Sequence, residues 1–129
     1  MPERSSYDYA IIRVVPRVER GECMNAGVIL FSRACAFLGV LIYLDEARLL
    51  ALAPDIDLIA VREQLQLISL IGAGKREAGT IARMSRSERF HWLVSPRSTI
   101  IQTSPVHSGL CSDPEEALKH LLQTMVQPV

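Results

Sequence analysis

Apolar and polar positions change their pattern about one third of the way along the chain. Three runs rich in β-branched and other apolar residues, at 9–15, 28–32 and 37–44, have the composition of strands. Pro16 ends the first run because proline has no N–H to donate to a sheet ladder. The later runs do not alternate cleanly, which indicates central strands covered on both faces. Three consecutive strands favour an antiparallel meander.

Helical periodicity follows from residue 45 onward. Asp45 is placed to cap a short helix that ends before Pro54, and Asp55 to cap a longer one. Glycines at 72 and 74 stop the longer helix. Its apolar stripe consists of Leu58, Val61, Leu65 and Ile68.

Two further helices begin with capping signals. Ser85 and Glu88 form a capping box in front of a short apolar stretch. Asp113 caps the last helix, Pro114 takes its first position, and Glu116 is placed to close a second box. Both signals are local, so they predict helix starts without reference to the rest of the fold.

A fourth strand is predicted between two Ser-Pro steps, at 98–104. We therefore expect an α+β fold in a single domain over residues 1–129. It consists of a small, mostly antiparallel sheet, with three N-terminal strands and one near 98–104, and about four helices packed on it.

Composition favours a cytoplasmic protein. The N-terminus does not have the pattern of a signal peptide. The longest stretches without a charge, 34–44 and 64–74, are too short for a membrane-spanning helix, which needs about 18 residues or more. The three cysteines are widely spaced without a C-x-x-C pair, which argues against a disulfide framework or a zinc site. We expect no metal, no cofactor and no membrane partner.

Charge is neutral in total but uneven along the chain. The 14 basic and 14 acidic residues cancel, yet residues 75–97 carry six cations and two acids, a net charge of +4. Because only one aromatic residue stands among these cations, the region is best interpreted as a solvated helix face on which Arg89 and Trp92 form an ordinary cation–π pair. The alternative is an RNA-binding surface over 83–97 that uses Arg86, Arg89 and Trp92.

Two segments contain polar residues that burial alone does not explain. Residues 13–28 include Arg-x-x-Pro and Asn-x-Gly-Val elements, and residues 95–109 include Ser-Pro-Arg-Ser and Pro-Val-His-Ser-Gly. With these elements the chain resembles the bacterial family called domain of unknown function 3037. That family has no established activity or catalytic residues. The resemblance implies a small cytoplasmic bacterial protein, often encoded beside HipA-like kinases, the class containing toxins of toxin–antitoxin pairs.

The first segment offers two candidate ligand-binding residues. Arg13 shares a strand face with Tyr9 by period-two alternation. A cation there needs a partner or a ligand, because burial of an unpaired charge is costly. A salt bridge to Glu19 or Glu22 is the structural alternative. Asn25 either belongs to a turn that enters the next strand or contributes to a ligand site.

The second segment contains the other candidates. Alternation places Ser98, Gln102 and Ser104 on one strand face beside Arg97, a polar row that would suit an anion pocket. The alternative is an edge strand with solvent on that face. His107 is the candidate general acid or base, although no neighbouring carboxylate in the sequence would orient it.

Three functional hypotheses remain. The first is a non-enzymatic binding or accessory module that acts with a protein partner such as a HipA-like kinase. The second is an enzyme or ligand-binding protein with an anion or phosphate pocket formed by segments 13–28 and 95–109, which requires Arg13 and His107 on the same side of the sheet. The third is the RNA-binding surface at 83–97.

Overall fold

A five-stranded antiparallel sheet with four helices packed on it forms the structure, which confirms the predicted α+β class. The computed structural model describes residues 3–97 and 99–128. In chain order the elements are β1 (Ser5–Val14), β2 (Met24–Ser32), β3 (Phe37–Ile42), α1 (Glu46–Leu52), α2 (Leu58–Ala73), α3 (Arg86–Leu93), β4 (Ile101–Thr103), β5 (His107–Cys111) and α4 (Pro114–Met125). Within these described residues, no helix combines the length and the apolar character needed to cross a bilayer.

The long strand β1 organises the sheet. One side of β1 pairs with β2, which pairs in turn with β3. Its other side is shared, because β5 pairs with the N-terminal half and β4 with the C-terminal half. Ser104 bridges the gap between β4 and β5, where its N–H donates to the carbonyl oxygen of Ile11 at 2.8 Å. The sheet order is therefore β3, β2, β1 and then β4 and β5 end to end.

Two separate apolar clusters cover the two faces of the sheet. On the helix-rich face, Ile12 and Val14 of β1 pack with buried residues of α1, α2 and α3. On the opposite face, called here the α4 face, Ile11 of β1 packs with Leu118 and Leu121 of α4. Helix α4 lies against β2 and β3. The side chains of β1, β4 and β5 on the α4 face are therefore less covered than those of β2.

Two predicted features of the N-terminal half are corrected by the structure. β2 begins at Met24, so Asn25 lies inside a strand and not in a turn. Asp57 caps α2, with its carboxylate accepting from the N–H of Ala60 at 3.1 Å, and Asp55 does not. The two aspartates stand two residues apart in the sequence, and only the direction of the chain entering the helix distinguishes them.

The C-terminal third also differs from the prediction. The predicted strand at 98–104 shortens to β4, and residue Ser98 lies outside the described residues. The strand β5 was not predicted, because its sequence shows no alternation of large apolar residues. Glu116 does not close a capping box, since its side chain forms an ion pair with Lys119.

Candidate functional site

Three of the predicted ligand-binding residues meet on the α4 face. Arg13 of β1 lies directly opposite Asn25 of β2 and directly opposite Gln102 of β4. Residues paired in this way share a face, with Cβ atoms about 4.5–5.5 Å apart. Asn25, Arg13 and Gln102 thus form a continuous polar line across three strands, called here the Arg13 row.

A bulge in β2 creates this arrangement. Ile12 pairs with Gly27, but the next residue, Arg13, pairs with Asn25, so Ala26 is an extra residue in β2. A regular ladder would place Ala26 opposite Arg13. Bulges often re-aim a side chain in this manner, and here the bulge replaces a methyl group with an amide beside the guanidinium.

The guanidinium of Arg13 has no anionic partner among the described residues. Arg13 is half-buried, and its Nε atom is buried without a hydrogen-bond partner. The salt bridge to Glu19 or Glu22 is not formed, since Glu22 pairs with Arg20. A buried N–H of this kind costs free energy until an acceptor reaches it.

Both amides of the row are held by backbone carbonyls. Nδ2 of Asn25 donates to the carbonyl oxygen of Met125 at the end of α4, at 2.9 Å. Nε2 of Gln102 donates to the carbonyl oxygen of Thr99, also at 2.9 Å. Each bond uses one of the two N–H donors of its amide and fixes its orientation. Within the described residues, the second N–H of each amide has no hydrogen-bond partner.

Arg97 and Ser104 do not join the row. Nη2 of Arg97 donates to the carbonyl oxygen of Trp92 at 2.7 Å, and its guanidinium carbon lies 4.2 Å from the centre of the Trp92 ring. Trp92 packs against the cluster on the helix-rich face, so Arg97 is on the other side of the sheet from Arg13. Burial lowers the pKa of Arg97. Ser104 is buried and accepts from the N–H of Ile11 at 2.9 Å, which makes it a structural bridge.

His107 lies on the α4 face but away from Arg13. It is opposite Tyr9, and the two ring centres are 5.5 Å apart. Tyr9 and Arg13 are four residues apart on β1, so their Cα atoms are separated by about 13 Å. The nearby carboxylate of Asp8 accepts from the hydroxyl of Ser108 at 2.7 Å and points to the other face. His107 therefore has an aromatic neighbour and no orienting carboxylate among the described residues.

Two of the three candidate RNA-binding residues, Arg89 and Trp92, make contacts within the protein. Nη1 of Arg89 donates to the carbonyl oxygen of Met84 at 2.7 Å, and burial lowers the pKa of Arg89. The cation–π partner of Trp92 is Arg97, and not Arg89 as the spacing predicted. Arg86 is exposed, whereas Trp92, the only tryptophan, is partly buried.

Sequence reasoning missed a cleft at one end of the sheet. It has a volume of about 470 Å³ and lies between the β1–β2 and α1–α2 connections. Arg17 and Arg20 line one wall, and residues 52–56 line the other. The two connections are distant in sequence, and the prolines at 16 and 54 were the available signals that both are loops.

The described residues contain no cluster of three or more His, Cys, Asp or Glu side chains arranged for a metal ion.

No curated protein and no solved structure matches the chain significantly. The family model described as "Protein of unknown function (DUF3037)" matches residues 9–126, a span that includes both motif segments and the whole Arg13 row. The chain therefore belongs to the DUF3037 family.

Proposed function

We propose that this protein is a non-enzymatic binding module, and that the Arg13 row holds an acidic group of a protein partner. The single observation behind the proposal is the half-buried Arg13 guanidinium, whose buried Nε atom has no partner within the described part of the chain. A carboxylate is the complementary group, because the planar fork of arginine donates two parallel hydrogen bonds to it.

The flanking amides support a carboxylate as the bound group. Asn25 and Gln102 stand on opposite sides of Arg13, and each retains an N–H donor. Three donors from three strands would converge on one anion. Because sheet strands are rigid, this arrangement requires little ordering on binding, which favours affinity.

The partner class follows from the family resemblance. HipA-like kinases, which that resemblance implies are encoded nearby, are the first proteins to test. A role as an accessory to such a kinase needs no catalytic residue in this chain. His107 suits a binding surface better than proton transfer, because its ring lies against the Tyr9 ring at a tilt of 39° and it lacks a carboxylate partner among the described residues.

The test is calorimetric titration of the full chain with a purified HipA-like kinase, the class that the resemblance implies is encoded nearby. Arg13→Gln should weaken binding about 30-fold or more, since truncating one partner of a desolvated charge pair costs about 2 kcal/mol or more. Arg13→Lys should recover part of the affinity, because it restores the charge without the fork. Arg17→Gln is the matched control, an exposed cation on the connection after the same strand.

Three results would contradict the proposal. They are no association with the kinase, equal effects of Arg13→Gln and Arg17→Gln, and equal affinities for the Lys and Gln variants at position 13. If inorganic phosphate protects Arg13 in NMR titrations while the kinase does not bind, the site serves a small anion, and the partner role is refuted.

A further inference from the structure

The outer edge of β5 is an open strand edge. β1 is the only element with which β5 makes extensive contact in the described part of the chain. Its sequence, His-Ser-Gly-Leu-Cys, contains no Lys, Arg, Asp or Glu. Leu110 is 63% exposed. Natural sheets usually protect such edges with charged residues, prolines or a covering element. The strand β5 contains neither charged residues nor prolines.

The hydrogen bonds of β1 show which groups of β5 face outward. The N–H and C=O of Ile11 both bond to Ser104, so the odd-numbered residues of β1 turn their backbone groups toward β4 and β5. His107 and Gly109 lie opposite odd-numbered residues and therefore bond to β1. The N–H and C=O groups of Ser108 and Leu110 point away from the sheet.

Tyr7 covers the glycine at the centre of this edge. A Cβ atom on Gly109 would lie 2.6 Å from the Tyr7 hydroxyl oxygen and 2.7 Å from the ring carbon that bears it. The phenol end of Tyr7 thus rests on β5 on the α4 face, while Leu110 lies on the helix-rich face. On the α4 face, the Tyr7 ring lies over Gly109 and beside His107, and on the helix-rich face Leu110 lies beside the small Ser108.

We propose that two copies of this chain associate by antiparallel pairing of their β5 strands about Gly109. In this register Ser108 of each copy lies opposite Leu110 of the other, so the outward backbone groups form four hydrogen bonds. The small serine accommodates the large leucine. The two Gly109 residues approach closely on the axis, with the two Tyr7 rings above them and the two Leu110 side chains below.

The position of the helices permits this pairing. α4 packs on β2 and β3, at the far side of the sheet from β5. Joining two β5 edges therefore creates one ten-stranded sheet without bringing the α4 helices together. A second copy is favoured over a charged partner segment because β5 itself contains no Lys, Arg, Asp or Glu and its residues are complementary in size in the antiparallel register. The neighbouring carboxylate of Asp8 already accepts a hydrogen bond from the Ser108 hydroxyl. The pairing is separate from the Arg13 row, because that row crosses the sheet through β4, and β5 pairs with the opposite end of β1.

The experiment is sedimentation velocity on the full chain from micromolar to millimolar concentration, combined with amide hydrogen exchange. We expect concentration-dependent formation of a species with twice the monomer mass of 14.3 kDa. The amides of Ser108 and Leu110 should exchange more slowly as the dimer forms. Leu110→Lys should weaken the dimer about tenfold or more, because the two added charges then lie on the same face as diagonal neighbours across the edge.

Two further variants make the test specific. Leu110→Pro removes an N–H that bonds to nothing within the monomer, so circular dichroism should remain unchanged while the dimer is lost. Ile59→Lys on α2 is the matched control, because Ile59 is an apolar residue with a similar exposure of 65%. A monomer at all concentrations overturns the proposal. A dimer that resists both Leu110 variants, or that Ile59→Lys weakens equally, also overturns it.

Discussion

Ser104→Ala tests the joint between β4 and β5. Ser104 is 3% exposed and Ile11 is 6% exposed, so the hydrogen bond of 2.9 Å between the Ile11 N–H and the Ser104 hydroxyl is shielded from water. Alanine leaves the Ile11 N–H without an acceptor. A buried donor left unsatisfied costs about 1–3 kcal/mol, so we expect the free energy of unfolding to fall by about 2 kcal/mol. For a chain of this size that corresponds to a decrease in Tm of roughly 8 °C.

The assay is urea unfolding followed by far-ultraviolet circular dichroism and by the fluorescence of Trp92. The slope of the unfolding free energy against urea should match that of the parent, because the exposed surface is the same. Ser108→Ala is the control: its hydroxyl donates to Asp8 at an exposed position, and we expect a loss below about 1 kcal/mol. If the two variants unfold within about 0.5 kcal/mol of each other, the assignment of Ser104 as a buried bridge is refuted.

Two further predictions concern packing and ionisation. A Cβ atom on Gly72 in α2 would lie 2.3 Å from Cγ2 of Val40, so Gly72→Ala should destabilise the protein by about 1–3 kcal/mol despite the higher helix propensity of alanine. The double variant with Val40→Ala should lose less than the sum of the single losses in urea unfolding, and additive losses would contradict the contact. Burial raises the pKa of Tyr7 above about 10, the value for tyrosine in an unfolded chain. The neutral Tyr7 side chain therefore stabilises the fold fully below about pH 10, and this stabilisation is lost as the pH rises through the higher pKa of the folded state. Tyr7→Phe should therefore flatten the decline of unfolding free energy measured between pH 9 and pH 11, and an unchanged slope would contradict the role of burial.

Local signals in the sequence predicted the elements that local interactions build. The capping box at Ser85 and Glu88 is present, and the carboxylate of Asp113 accepts from the first N–H groups of α4. Such contacts involve residues within one helical turn, so a single chain segment contains all the information. The choice between Asp55 and Asp57 failed because both are good caps and the path of the preceding loop decides between them.

The strand β5 shows the limit of periodicity. It has one exposed large residue, Leu110, and a glycine at its centre, so nothing in the segment alone indicates a strand. Pairing with Ser5–Tyr9 of β1 and cover from Tyr7 supply what the local sequence lacks. Residues about 100 positions apart provide these contacts, and the order of apolar residues within the segment does not encode them.

Some features of the candidate site could likewise be predicted from the sequence, and others depended on the tertiary structure. Alternation along β1 was sufficient to place Arg13 on one face, because side-chain direction in a regular strand has a period of two. Asn25 reached that face only through a bulge in β2, which depends on how two strands pair. Arg97 appeared equivalent to Arg13 in the sequence, yet the packing of α3 placed Trp92 beneath its guanidinium. The sequence by itself thus determined the fold class, the helix starts and the face of Arg13. The tertiary structure alone decided which residues Arg13 contacts, because contacts between distant segments depend on strand pairing and packing.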